Sequence, residues 1–273
     1  MTIAPFTAAC IQLNSSENIQ DNLAVTEKMI REAAAKGAKL IVTPENTCHI
    51  LTPSIQKLKT AVAADVHPAI KQFSALALEL GVWILIGSIA VKISDDKLSN
   101  RSLLFGPDGG LFAQYDKIHL FDVTLPTGEV HRESDLIAPG EKLVLADTPL
   151  GKIGMSICYD VRFPQLYRAL SQKGAQILAV PSAFTVPTGK AHWEVLLRAR
   201  AIENGCFVIA AGQTGQHHGG RKTYGHSMII SPWGEVIADG GEEVGIIYGE
   251  IDLAQVDVAR TAIPALVHDR KMG

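Results

Sequence analysis

Glu32-Ala-Ala-Ala-Lys-Gly-Ala-Lys-Leu-Ile-Val-Thr-Pro-Glu45 and Ala169-Leu-Ser-Gln-Lys-Gly-Ala-Gln-Ile-Leu-Ala-Val-Pro-Ser182 are one phrase written twice. Each copy ends a helical pattern at Lys-Gly, where glycine suits the residue just past a helix. A short apolar run follows, of the kind that fills a buried strand, and then a proline and a polar residue. Lys-Gly-Ala before a strand is a common helix stop, so the echo alone is open to a bland explanation. The surroundings argue for more. Working outward from the first copy, the pattern predicts a strand at 6–13, a helix at 21–36, a strand at 39–43, a helix at 66–80 and strands at 82–87, 101–106 and 111–116. Around the second copy it predicts a strand at 152–158, a helix from Pro164 to Lys173, a strand at 176–180, a helix at 189–203, a strand at 206–212, and three strands near 225–231, 235–239 and 245–251. Residues 118–148 read as a looser joining segment. Two internally similar βαβ-rich halves imply an α/β fold with two sheets face to face and helices outside, a four-layer α-β-β-α sandwich. No linker divides residues 1–273, so one domain is expected.

Composition narrows the function. With 47% hydrophobic and 19% charged residues the chain can bury a large core, and its net charge of -3 offers no basic footprint for nucleic acid. Neither a signal-peptide pattern nor an apolar run long enough for a membrane span is present, which points to a soluble, cytoplasmic protein without membrane partners. The four cysteines, at 10, 48, 158 and 206, suggest reduced thiols and no disulfide framework.

Chemistry is expected where strands end, since α/β sheets favour ligands there. In Gly151-Lys-Ile-Gly-Met-Ser-Ile-Cys-Tyr-Asp-Val-Arg-Phe-Pro164, Ile153, Met155 and Ile157 alternate with Gly154, Ser156 and Cys158. The reading places Cys158 where a strand turns into a helix, whose peptide dipoles should lower the thiol pKa. Cys10 and Cys206 lie inside apolar strands and read as core, whereas Cys48 is ambiguous. Glu45 closes the strand of the first copy, and Lys117 follows another in Tyr115-Asp-Lys-Ile-His-Leu-Phe-Asp122; each alone reads equally well as solvated. Together a carboxylate, an ammonium and a thiol supply a base, an oxyanion donor and a nucleophile without any histidine. His217, His218 and His226 flank a Gly-rich loop without a companion ligand set, and read as solvated rather than metal-binding. His192 reads as packing or pocket lining, and the glycines near 212–220 match no nucleotide motif, so neither a metal nor a cofactor is expected.

Pro44-Glu45, Tyr115-Asp-Lys117-Ile-His-Leu-Phe and Gly154-Met-Ser-Ile-Cys158-Tyr-Asp-Val-Arg162-Phe-Pro164, in this order, resemble the signatures of the nitrilase, or carbon–nitrogen hydrolase, superfamily, from about Thr7 to His268. The resemblance implies Glu45 as general base, Lys117 as oxyanion stabiliser, Cys158 as nucleophile forming a thioester, and a homodimeric sandwich. It also implies a second glutamate between lysine and cysteine, best matched by Glu133, with Glu129 close by. Tyr159, through its backbone N–H, and Arg162, as a cation for a substrate carboxylate, are the expected substrate-binding residues; Arg198 and Arg200 read as solvated or salt-bridged. Pro181–Thr185, Ala191–Glu203 and His217–Met228 look most like the deaminated glutathione amidase branch, a metabolite-repair activity. The implied reaction is hydrolysis of a small carboxylated primary amide to acid and ammonia. An ω-amidase acting on α-ketoglutaramate, a nitrile or N-carbamoyl amine hydrolase, and a noncatalytic binding protein are the alternatives. Asn46-Thr-Cys-His49, after the base, departs from the relatives' usual residues.

Overall fold

The computed structural model describes residues 3–51, 55–126 and 128–270. The first half runs β1 (Phe6–Gln12), α1 (Ile19–Ala35), β2 (Ala38–Val42), the short α2 (Gln56–Thr60), α3 (Pro68–Leu80), β3 (Trp83–Lys92), β4 (Leu98–Phe105) and β5 (Leu111–Asp116). A joining segment follows, with β6 (Asp122–Thr124), β7 (Val130–Arg132) and β8 (Val144–Thr148). The second half continues with β9 (Gly151–Met155), α4 (Pro164–Gln172), β10 (Ile177–Ala179), α5 (Val186–Asn204), β11 (Phe207–Ala210), β12 (Thr214–Gln216), β13 (Lys222–Tyr224), β14 (Met228–Ile230), β15 (Val236–Asp239), β16 (Gly245–Ile251) and α6 (Ala254–Ala262).

Local chemistry explains the helix limits. Asn18 caps α1 by accepting from the Gln20 and Asp21 N–H groups at 2.9 and 3.3 Å. Pro68 opens α3, where its missing N–H costs nothing, and Gly81 ends it in the left-handed conformation at φ 63°.

The strands form two six-stranded sheets, in the orders β16-β1-β2-β3-β4-β5 and β15-β14-β11-β10-β9-β8. In each, three parallel strands are flanked on one side by two antiparallel strands and on the other by one. The internal echo therefore reflects two sheets of one topology. One core joins Ala8, Cys10, Leu40, Val42 and Leu85 of the first sheet to Ile153, Met155 and Ile177 of the second. A separate core packs Ile11, Ile41, Ile84 and Ile86 against Leu23 and Ile30 of α1 and Phe73 of α3. On the second sheet a Cβ on Gly154 would sit 3.1 Å from Leu170 of α4, which shows why the alternating face of β9 is small beneath that helix.

The structure corrects four details. The joining segment carries an ordered hairpin and the edge strand β8, paired antiparallel with β9. β16 crosses back to pair with β1 from Phe6↔Ile251 to Gln12↔Gly245, tying the chain's end to its first sheet. The strand expected at 152–158 stops at Met155, because the Asp160 carboxylate captures the Ile157 N–H at 2.8 Å and draws the backbone out of the ladder. The strand expected near 225–231 is confined to Met228–Ile230, after the β12–β13 hairpin.

Where the two sheets meet, Pro44 and Pro181, equivalent residues of the repeated phrase, close on Gly87. A Cβ there would fall 2.1 Å from the Thr43 carbonyl oxygen and 2.5 Å from Pro181 Cβ. Gly87→Ala must push apart the loops carrying Glu45 and Ser182. Overpacking of this kind costs about 1–3 kcal/mol or more. The variant is expected to melt several degrees below the native chain and to lose any activity dependent on Glu45; an unchanged melting temperature and activity would contradict this packing.

Candidate active site

Glu45 stands on a turn made rigid from several sides. Thr47 donates from its hydroxyl to the Pro44 carbonyl at 2.7 Å, and the Asn46 N–H donates to Ser88 Oγ at 2.9 Å. Asn46 takes the left-handed conformation at φ 58°, and Gln213, reaching over from the second half, donates to the carbonyls of Glu45 and Asn46 at 3.1 and 3.3 Å. The carboxylate so placed is 3% exposed. Its Oε2 accepts the Ala183 N–H at 2.9 Å, and its Oε1 accepts Lys117 Nζ and Asn100 Nδ2, both at 2.9 Å.

Lys117 follows β5 directly and is pinned by its backbone, its N–H to the Asn100 carbonyl at 3.0 Å and its carbonyl to the Gly140 N–H at 2.8 Å. The buried ammonium lies between two carboxylates, donating to Glu133 at 2.9 and 3.1 Å as well as to Glu45. The β6–β7 hairpin delivers Glu133, whose Oε2 also accepts the Phe121 N–H at 2.7 Å. Glu129 instead meets His131, at 3.0 Å, so Glu133 is the glutamate that joins the lysine. Asn100, which sequence reasoning missed, bridges the carboxylates by donating to Glu45 and, at 3.1 Å, to Glu133. Its place on β4 opposite the lysine is a tertiary fact with no local signal.

Cys158 begins a 3-10 turn, Cys158–Arg162, rather than an α-helix, with φ at 50°. Such a conformation costs a non-glycine residue about 1–3 kcal/mol and needs support from its surroundings. The Cys158 N–H donates to the Pro181 carbonyl at 2.9 Å. Asp160, fully buried, accepts from Ile157 N–H, from the Tyr115 hydroxyl at 2.7 Å and from the His119 N–H at 3.0 Å. The thiol turn and the lysine segment are thereby tied together.

Ionisation follows from this packing. Burial raises the Glu45 pKa, but the charge and hydrogen bond of Lys117 outweigh it and leave the group below the ordinary carboxylate range. Burial opposes the charge on Lys117, yet Glu133 and Glu45 together hold its pKa well above the usual lysine value. Cys158 goes the other way: burial, then the Glu45 charge, push the thiol pKa up, against the smaller pull of Lys117. This corrects the expectation of a dipole-favoured thiolate. No α-helix starts at the sulfur, and desolvation beside an anion dominates. At neutral pH the site therefore holds an anionic Glu45, a cationic Lys117 and a neutral Cys158 thiol.

A cavity of about 200 Å³ opens onto these groups, lined also by Tyr159, Phe184, Thr188, Lys57 and Arg221. Arg162 is not among its lining residues; the guanidinium lies over the Phe184 ring, 5.3 Å from its centroid, and 3.3 Å from His192 Nδ1. His192 is exposed beside it and lines no part of the cavity. Arg200 is buried rather than solvated, donating to the Val161 carbonyl at 2.9 Å and pairing with Glu203 at 2.8 Å. His217 is likewise buried, its ring nitrogens held by the Ser15 carbonyl and the Thr223 hydroxyl, and His226 pairs with Asp239 at 3.0 Å. Cys10, Cys48 and Cys206 are buried free thiols. Among the described residues no group of three or more His, Cys, Asp or Glu is arranged to hold a metal ion.

A four-layer sandwich presenting glutamate, lysine and cysteine at converging strand ends fits the class of hydrolases that act on carbon–nitrogen bonds. Comparison with known proteins agrees: residues 7–261 match the carbon-nitrogen hydrolase family, and the chain belongs to it. It is 42% identical over 267 residues to a deaminated glutathione amidase of Yersinia enterocolitica, covering 96% of this chain and 92% of that one. It is 43% identical over 269 residues to a deaminated glutathione amidase of Synechocystis sp., covering 97% and 98% of the two chains. The crystal structure of Saccharomyces cerevisiae Nit3, a member of branch 10 of the nitrilase superfamily, superposes with a TM-score of 0.85 at 32% identity, over 95% of this chain and 94% of that one.

Thiolate absorbance near 240 nm, taken as the difference between the native chain and Cys158→Ala, is expected to be absent at pH 7 and still undeveloped at pH 9. A Cys158 thiolate signal at pH 7 would contradict the ionisation described.

Proposed function

We propose that this chain hydrolyses the amide bond of a small carboxylated substrate through a thioester on Cys158, with deaminated glutathione as the preferred substrate. One observation carries the reading: the buried Lys117 ammonium fixes Glu45 as an anion within reach of a neutral thiol. A thiol is a poor nucleophile until a base removes its proton. Glu45 takes that proton as Cys158 Sγ bonds to the amide carbon. Negative charge then develops on the carbonyl oxygen, where Lys117 and the Tyr159 N–H stabilise it. As the tetrahedral intermediate collapses, Glu45 returns the proton to the departing nitrogen and the C–N bond breaks. Water, deprotonated by the same carboxylate, adds to the thioester. The C–S bond breaks, and the regained proton restores the thiol. Glu133 and Asn100 position Lys117 and Glu45 for both halves of this cycle.

The relatives' names support deaminated glutathione as substrate. Its amide nitrogen belongs to the cysteinylglycine portion, so the leaving group there is an amine, whereas a primary amide such as α-ketoglutaramate releases ammonia. A cytoplasmic repair enzyme suits such a substrate. Among the described residues no helix is long and apolar enough to cross a membrane. For a homodimer, support comes from exposed Val195 and Ile202 on α5, Trp233, and Val258 on α6, with α5 tied to the Trp233 turn by Arg198 Nε donating to the Gly234 carbonyl at 2.8 Å.

Deaminated glutathione, α-ketoglutaramate, a nitrile and an N-carbamoyl amine, assayed side by side for acid and for amine or ammonia, test the reading. Deaminated glutathione is expected to give the highest kcat/KM. Cys158→Ala and Glu45→Gln should abolish turnover, and Lys117→Ala should lower it by about 10²–10³ or more, the usual cost of a lost oxyanion donor. Full product release by any of the three variants, or preference for the nitrile, would refute it.

A further inference from the structure

Two cations in the cavity have no part in the cycle above. Lys57, on α2, is 8% exposed, and among the described residues its ammonium has one hydrogen bond, to Asn46 Oδ1 at 2.7 Å. Arg221, in the β12–β13 turn of the opposite half, donates from Nη2 to the Ala183 carbonyl at 3.1 Å, while its buried Nε has no partner among the described residues. Among the described residues neither forms an ion pair with a carboxylate. Both line the cavity that holds Glu45, Glu133 and Cys158.

Burying a cation without a counter-ion is costly, and a buried guanidinium N–H left unbonded adds to the cost. Lys57 is buried, whereas Arg132 at the same cavity is exposed. Burial first, and Arg221 next, draw the Lys57 pKa down to about 8, so the two cations sense each other through shared space. The lining therefore carries Lys57, Lys117, Arg132 and Arg221 against only Glu45 and Glu133. Lys117 is already committed to those two carboxylates. What Lys57 and Arg221 lack is an anion arriving with the substrate.

We propose that Lys57 and Arg221 form a carboxylate-binding subsite that selects amides bearing a carboxylate beyond the scissile bond. This rests on the amide-hydrolysis reading and deepens it. A planar guanidinium and a compact ammonium lining one cavity suit a carboxylate held by both. Asn46, which holds the lysine, is the first residue of the loop that departs from the usual pattern of the relatives, so the departure and the subsite share one place. Sequence reasoning looked instead to Arg162, whose position beside the nucleophile in the chain is not a position in the cavity.

Glutaramate and pentanamide, amides of equal length with and without a terminal carboxylate, provide the test on the full-length chain. The native KM for pentanamide should exceed that for glutaramate by about ten-fold or more, the scale of a charged hydrogen bond. That ratio should fall toward one in Lys57→Met and in Arg221→Met, and survive in Lys57→Arg. A ratio unchanged in both methionine variants, or an equal loss of kcat on both amides at constant ratio, would overturn the subsite and leave Lys57 as a support for the Asn46 turn. If neither amide is cleaved, turnover of deaminated glutathione by the native chain decides whether the hydrolysis reading itself fails. Calorimetric titration of Cys158→Ala with glutarate then decides the subsite: binding weakened about ten-fold by added Lys57→Met upholds it, and equal binding overturns it.

Discussion

A single buried ammonium organises the site. Lys117, 2% exposed, can remain charged only because Glu45 and Glu133 accept from it at 2.9 Å each. Those carboxylates can remain buried only because the ammonium lies between them. Desolvating any one of the three alone carries an effective penalty of several kcal/mol, and removing one partner of such a group leaves a buried charge uncompensated. The arrangement is therefore all or none. It fixes the first sheet, which supplies Glu45 and Lys117, against the β6–β7 hairpin, which supplies Glu133. The site inherits this constraint: a carboxylate kept ionised by its neighbour faces a thiol kept neutral by its burial.

Bringing the thiol to that base is the work of the duplicated architecture. The repeated phrase places Pro44 after β2 of one sheet and Pro181 after β10 of the other, and both close over Gly87. One copy goes on to present Glu45; the other presents the Pro181 carbonyl that holds the Cys158 N–H and the Ala183 N–H that holds Glu45. The halves share their topology but divide the labour. β16, returning to pair with β1, joins them from the other end of the chain.

Much of this was legible in the residues. The helix stops at Gly37, Gly81, Gly174 and Gly205 and the apolar runs after them carry strong local signals, so the paired sheets could be anticipated. Glu45, Lys117 and Cys158 stand beside such strands and carried recognisable wording. What escaped was non-local. Asn100 acts only because β4 runs antiparallel beside β5, β8 is a strand because an edge awaited it, and the strand expected at 245–251 pairs with β1 of the other half. The ionisation of Cys158 is non-local too: a helix-like motif suggests a dipole, but desolvation and the proximity of Glu45 arise only on folding. Lys57 and Arg221 lie far apart in the sequence, and only the cavity reveals that they share a ligand-sized space.

Intact-protein mass spectrometry of rapidly acid-quenched mixtures of the protein with deaminated glutathione tests whether Glu45 drives Cys158 into a covalent acyl intermediate. The native chain should gain the mass of the acyl portion during turnover, localised to Cys158 by peptide mapping, with no such gain in Glu45→Gln or Cys158→Ala. Turnover with the adduct on another residue, or sustained turnover by the Cys158→Ala chain, would contradict it.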